Sequence, residues 1–243
     1  MKSRARVIAL VVGSIGLCLG VPAVAQQDTV DFTGGYSTTW GNSSGNYGAG
    51  IYTATINGVP SSSGIICDDF KDEITSGETW KANAYQASSL ASGNLGSTMF
   101  GNTIGLTGYA EVATLVSMMF SGNSSYGSIT GITQAELSSA IWYITAPGGI
   151  SGLDTKATAL VAAVELAFGG NTSAATKYLA TLTNLWILTP ANLGPGEPQE
   201  MWTEGLSVPE GGATFLFLFL AGATCFGAMF FKYRQRAAIG ELA

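Results

Sequence analysis

An uncharged, largely apolar run of 19 residues near the C-terminus, at 213–231, most constrains what this chain can fold into. A helix of this length crosses the hydrocarbon core of a bilayer, which is about 30 Å thick. Three basic residues follow the run, and their excess of positive charge predicts a cytoplasmic C-terminus with the rest of the chain outside. The sequence therefore predicts one C-terminal transmembrane helix, through which the protein contacts the membrane. The three basic residues are Lys232, Arg234 and Arg236.

The first 25 residues have the layout of a secretory signal peptide. Three basic residues lie within the first six positions, an apolar run covers 7–21, and Ala23 and Ala25 form a small-residue cleavage site. Cleavage would leave Gln26 as the new N-terminus, and it implies the export translocon and signal peptidase as partners. An uncleaved membrane anchor is the alternative, although the apolar run is short for a span. We therefore expect residues 26–206 to form one exported globular domain.

A short motif directly before the predicted span identifies the C-terminal segment more closely. Residues 207–238 join this motif, the span and the basic end in a layout that resembles a PEP-CTERM sorting signal, with Pro-Glu-Gly here in place of Pro-Glu-Pro. The resemblance implies processing near Pro209 by an exosortase-type transpeptidase, after anchoring in the inner membrane and before delivery to the cell envelope or outside the cell. A plain single-span anchor is the alternative. The motif consists of Val208, Pro209, Glu210, Gly211 and Gly212.

The charge of the exported region limits its chemistry. Between 26 and 208 there are fourteen acidic residues, four lysines and no arginine, so the net charge is −10. This acidity argues against nucleic acid as a partner. The chain also has no histidine, which excludes histidine-based triads, general acid–base histidines and histidine-ligated metals. We accordingly expect no enzyme activity, no cofactor and no metal site.

The hydrophobic pattern predicts an α+β fold. Short β-branched runs predict strands at 51–56, 65–67, 78–82 and 185–188, with a further strand at 199–203. Apolar residues at helical spacing predict four helices within a helical insertion at about 109–182. The Gly/Ser/Asn-rich stretch 26–50 is expected to form an irregular lead-in or edge strands, and the similar stretch 88–108 is expected to form a loop. We therefore expect a small β-sheet or sandwich interrupted by helices.

Cys67 is the one cysteine of the exported region, because Cys18 lies in the signal peptide and Cys225 in the predicted span. No internal disulfide is then available to the exported domain. The simplest interpretation is a small buried hydrophobic residue, which is the usual place of a free cysteine. An intermolecular disulfide or another oxidation product is a second interpretation.

The surroundings of Cys67 suggest a third interpretation. Ile66-Cys67-Asp68-Asp69 on a strand, Ala140-Ile141-Trp142 on the second of two helices, and a strand with Gln199-Glu200 together resemble the thioester-domain-like region of surface adhesins. The resemblance implies that the strand cysteine couples to a glutamine in a Thr-Gln-x-Ala-Ile/Val-Trp helix and forms an internal thioester that traps amines. Here Ser138 occupies the glutamine position, and Gln134 lies one helical turn earlier. The resemblance therefore implies Cys67 and Gln134 as the thioester pair.

Three functions remain open from the sequence. The first is an exported envelope or extracellular-matrix protein with a structural or adhesive, non-enzymatic role and a polysaccharide among its partners. The second is a covalent surface adhesin with an internal Cys–Gln thioester. The third is a polysaccharide hydrolase, since glycoside hydrolysis uses a pair of carboxyl groups. The acids that would serve it are Asp68, Asp69, Asp72 and Glu73.

Overall fold

The structure is a computed structural model, and it divides the chain into two compact units, Met1–Leu206 and Ser207–Ala243. All strands and helices named below belong to the first unit. The predicted cleavage residues Ala23 and Ala25, the sorting motif at 208–212 and all of the span at 213–231 except residues 223–224 lie outside the described residues. The described residues are 26–42, 45–71, 74–192, 198–206 and 223–224.

A mixed α+β fold is confirmed, and its sheet is larger than expected. Seven strands form one antiparallel sheet, and two further short strands, β6 and β7, form a separate hairpin. The strands are β1 (Gln26–Asn42), β2 (Gly45–Ile56), β3 (Val59–Pro60), β4 (Ile65–Cys67), β5 (Thr79–Gln86), β6 (Ser125–Tyr126), β7 (Ile129–Thr130), β8 (Leu185–Pro190) and β9 (Met201–Glu204).

The large sheet closes on itself, so the expectation of a small sheet or sandwich is wrong. Its strand order is β1-β5-β8-β9-β4-β2-β3, and β1 also pairs with β2. Six strands thus form a ring, with β3 attached to β2 at its side. Closure satisfies backbone groups that an open sheet would leave at two edges.

Of the two structures expected at 26–50, strands are found and an irregular lead-in is not, because β1 and β2 form a long antiparallel hairpin there. The pairing runs from Val30 opposite Ile56 to Asn42 opposite Gly45, with three shifts of register on the way. Two of these shifts involve Gly34, where φ is +87°, a conformation that glycine adopts without steric cost. Gly34, whose residue type suggested an irregular segment, therefore serves as a bulge within a strand.

Four helices lie between β5 and β8 in the chain, which confirms a helical insertion. A capping box begins α2, where Thr133 Oγ1 accepts from Glu136 N and Glu136 accepts from Thr133 N. The predicted loop at 88–108 instead contains two short 3₁₀ turns and the start of α1, which is broken at Gly105. The helices are α1 (Gly101–Ser121), α2 (Gln134–Thr145), α3 (Thr155–Phe168) and α4 (Thr172–Thr181).

Neighbouring residues of β4, β8 and β9 face two separate cores, as the alternation of a strand requires. Ile66 and Trp202 pack into the larger core with the helices, whereas Cys67 and Met201 belong to a second core on the other face of the sheet. Both faces of these strands are therefore buried.

Within the described residues, one helix is long and apolar enough to cross a membrane, namely Gly101–Ser121. Most of it is buried inside the domain, and Tyr109, Val112, Leu115 and Val116 are fully enclosed. It is the central helix of the larger core.

Candidate functional site

Cys67 lies at the end of β4 and points towards a glutamine on the neighbouring chain segment. The ladder sets Cys67 opposite Met201, so Gln199, two residues before Met201, is a diagonal neighbour of Cys67. The Cys67 sulfur lies 2.8 Å from Gln199 Oε1 and 2.9 Å from the carbonyl oxygen of Asp69, and its single thiol proton is shared between these two acceptors. Both side chains are buried, with 2% of Cys67 and 8% of Gln199 exposed.

This contact brings the sulfur close to the carbon that it would attack. The Gln199 carbonyl carbon, Cδ, is one C=O bond of about 1.23 Å from Oε1, so it lies at most about 4 Å from Sγ. Productive geometries for covalent chemistry place the reacting atoms about 3–3.5 Å apart. The strand register alone therefore holds a thiol and a carboxamide close to reacting distance.

Helix α2 fixes the backbone on which the thiol is carried. Trp142 donates its indole N–H to the carbonyl oxygen of Cys67 at 3.1 Å, and the Thr145 hydroxyl donates to the carbonyl oxygen of Asp68. Both donors are buried, so these bonds are not shared with solvent. These two side chains of α2 thus hold the end of β4 in place beside the glutamine.

The thiol is neutral in this setting. Burial raises the pKa of Cys67 well above its usual value, and the neighbouring carboxyl groups of Asp68 and Asp69 add to that rise. A thiolate is therefore disfavoured here, and any reaction that releases the sulfur as a thiolate needs a proton delivered to it.

A cavity of about 450 Å³ reaches this pair. Cys67, Gln199 and Asp69 line it together with aromatic side chains, and the Asp69 carboxylate is held there by the backbone N–H of Lys71 at 2.8 Å. Two of the aromatic side chains pack directly on each other, with the ring centroids of Phe70 and Trp142 5.5 Å apart. The six aromatic residues that line the cavity are Phe32, Tyr36, Tyr47, Tyr52, Phe70 and Trp142.

The structure does not bring Cys67 together with Gln134. Gln134 begins α2, and its Oε1 accepts a hydrogen bond from the Ser37 hydroxyl on β1. Ser138, which holds the glutamine position of the family pattern, instead accepts from the backbone N–H of Gly50 at 2.8 Å. Both side chains thus tie α2 to the β1–β2 hairpin, and the glutamine that contacts Cys67 is Gln199.

The remaining predicted site residues are Gln26 and the four acids that follow Cys67. Gln26 is the first residue of β1. Asp68 and Asp69 are buried beside Cys67, whereas Asp72 and Glu73 lie outside the described residues. In the part of the chain that the structure describes, no group of three or more acidic, cysteine or histidine side chains is placed to hold a metal ion.

Gln199 is the residue that sequence reasoning missed. The sequence predicts the strand around Gln199, but the family resemblance places the glutamine partner of Cys67 on a helix, four residues before Trp142. The signal that identifies it is the pairing of β4 with β9, two segments whose site residues are 132 positions apart. Such a register is set by the whole sheet and not by the local pattern.

Comparisons with known proteins give no further guide. No family model, no curated protein and no solved structure matches the chain.

Proposed function

We propose that this is an exported envelope protein whose Cys67 and Gln199 form an internal thioester, with which it attaches covalently to amine-bearing surfaces. The observation that carries the proposal is the 2.8 Å contact between Sγ and Oε1 inside a cavity. The thioester interpretation of Cys67 is thereby favoured over a purely apolar core residue, with Gln199 in the place first given to Gln134.

Formation of the thioester exchanges one bond for another. Cys67 Sγ attacks Gln199 Cδ, the S–C bond forms, the C–N bond breaks, and the thiol proton leaves with the amide nitrogen as ammonia. No oxidant or cofactor is needed. The fixed contact between the two groups supports this step. Two groups that are held in a productive orientation react as a unimolecular system, with effective molarities of about 10⁵ M or more.

Capture of a partner takes place at the same carbon, Gln199 Cδ, with an amine as the nucleophile and the sulfur as the leaving group. A primary amine enters the cavity and attacks Cδ, the S–C bond breaks, and a secondary amide joins Gln199 to the partner. The entering ammonium must lose two protons, of which one goes to the sulfur and one to solvent. The Asp69 carboxylate, which lines the cavity beside Cys67, attracts the ammonium and relays a proton to the sulfur.

The same arrangement explains how a thioester would survive until a partner arrives. Since burial raises the pKa of the Cys67 thiol, the sulfur is a poor leaving group unless it is protonated. The Asp69 carboxylate attracts a positively charged ammonium into the cavity, but it does not attract a neutral water molecule in this way. Each site reacts once, so the protein acts as a covalent adhesin and not as an enzyme.

The sorting segments complete the proposal. Signal peptidase would release Gln26 as the N-terminus, and an exosortase-type transpeptidase would process the chain near Pro209 after the span has held it in the inner membrane. Both steps would deliver the domain to the cell envelope or the extracellular matrix, where amine-bearing proteins and glycans are the available targets.

Methylamine labelling tests the assignment of the glutamine. The full-length chain in a mild detergent is treated with methylamine, digested, and the modified residue is located by mass spectrometry. We expect Gln199 to carry the label and Cys67 to become a free thiol, and we expect no label in Cys67→Ser or Gln199→Asn. Gln134→Asn is the matched control and should be labelled as the unaltered chain is. A label on Gln134, or an unlabelled chain, would contradict the proposal.

A further inference from the structure

Two fully buried carboxyl groups flank the Cys67–Gln199 pair on the opposite face of the sheet. Asp68 follows Cys67, and Glu200 follows Gln199; each is 0% exposed. Because successive residues of a strand point to opposite faces, the thiol and the carboxamide face the cavity while the two acids face α1. The two segments also meet in the backbone, where Asp68 N donates to Glu200 O at 3.4 Å.

The hydrogen bonds of Glu200 favour its negatively charged form. Its carboxylate accepts from the Tyr109 hydroxyl at 2.6 Å, from the Met99 backbone N–H at 2.8 Å, and from the Thr189 hydroxyl. Burial raises the pKa of Glu200, and these donors act against that rise. Three donors from three different segments therefore favour the ionised form.

The surroundings of Asp68 favour its protonated form. Burial, followed by the charge of Glu200, raises its pKa well above the usual value, and its carboxyl group forms a side-chain hydrogen bond with Glu200. Its Oδ2 accepts the indole N–H of Trp202 at 2.6 Å. Its other oxygen, Oδ1, is buried and accepts no hydrogen bond from any donor in the described part of the chain. A proton on this oxygen can be donated to Glu200, which a second carboxylate in this place could not do.

No basic side chain of the described residues is among the groups that act on these two acids. The titratable side chains that face them are Tyr109 from α1 and Cys67 and Asp69 from the chain around β4. The one ion pair found in the described part of the chain joins Lys156 to Glu136 elsewhere. A single proton between Asp68 and Glu200 is therefore what allows two carboxyl groups to lie together in this site.

We propose that the hydrogen bond from protonated Asp68 to Glu200 is a latch that holds Gln199 against Cys67, which makes both acids positioning residues for thioester formation. The inference rests on the proposed function. Loss of the shared proton would place two negative charges side by side, and the ends of β4 and β9 would separate at the point where the thioester forms.

Re-formation of the thioester provides the test. In the full-length chain in detergent, ammonium chloride opens the thioester and restores the carboxamide and the thiol. After removal of the ammonia, the return of the chain to a mass lower by one ammonia is followed at pH values from about 5 to 9. We expect the rate to fall as the pH rises, because the proton of the latch is lost.

Asp68→Asn is the decisive variant. The asparagine amide donates to Glu200 and its oxygen accepts from Trp202, so the latch keeps its hydrogen bonds and loses its titratable proton. We expect re-formation at the rate of the unaltered chain at low pH, with no fall at high pH. Asp68→Ala should slow re-formation about 10–100-fold at every pH, as expected for loss of a hydrogen bond to a charged group.

The outcomes separate the latch from the thioester itself. If Asp68→Asn shows the same fall with pH as the unaltered chain, or if Asp68→Ala re-forms the thioester at an unchanged rate, the latch is refuted while the thioester stands. If the unaltered chain shows no loss of ammonia at any pH, the proposed function fails and the latch fails with it. Near-UV circular dichroism of each variant checks that the fold is retained, and the Asn variant keeps the test valid if the Ala variant does not fold.

Discussion

Replacement of Trp142 by phenylalanine tests how α2 supports the site. The indole N–H donates to the Cys67 carbonyl at 3.1 Å in a position where Trp142 is 3% exposed. Phenylalanine keeps an aromatic ring but leaves this buried carbonyl without its indole donor, which costs about 1–3 kcal/mol. The free energy of unfolding should fall by this amount, beyond the loss caused by the smaller ring.

Trp80→Phe is the matched control for this change. Trp80 is also buried, at 7% exposed, but its indole N–H has no hydrogen-bond partner among the described residues. Urea unfolding of the full-length chain in mild detergent, followed by near-UV circular dichroism, should show a loss for Trp142→Phe that exceeds the loss for Trp80→Phe by about 1–3 kcal/mol. Equal losses would refute the argument that the Cys67 carbonyl depends on this hydrogen bond.

Three further changes probe other parts of the account. Asp69→Asn should slow methylamine capture about 10²-fold or more without preventing thioester formation, and an unchanged rate of labelling would remove Asp69 from the proton relay. Thr133→Ala removes the capping box with Glu136 and should destabilise the domain by about 1 kcal/mol in urea unfolding. Burial, then the charge of Glu165, raises the pKa of Glu111 to about 7, so the folded state binds its proton more tightly than the unfolded state. Stability should therefore fall as the pH rises from about 4.5 to 7, and Glu111→Gln should flatten this slope in thermal unfolding; a parallel slope in the variant would contradict it.

Features set by short-range chemistry were predictable from the sequence. Asn57-Gly58 is a sequence typical of a two-residue hairpin turn, and both residues have the positive φ that such a turn requires. The strand that carries Cys67 is also where the pattern placed it. In each case the residues that decide the structure lie within a few positions of one another.

Features set by long-range pairing were not predictable. The glycines of β1 suggested an irregular segment, because the role of Gly34 as a bulge depends on the pairing of β1 with β2. Gln199 was placed on a strand but not beside Cys67, since their contact depends on the register of β4 and β9. The latch acids could not be recognised either, because a buried and an exposed carboxylate look the same in a sequence.

The most direct test of the central claim is a mass measurement on the protein taken from its native envelope. Digestion without amines or reducing agents should yield a peptide containing Cys67 joined to a peptide containing Gln199, with a combined mass one ammonia short of their sum. Treatment with methylamine should separate the two. Recovery of both peptides unjoined, each at its unmodified mass, would contradict the thioester and leave Cys67 as a buried core residue.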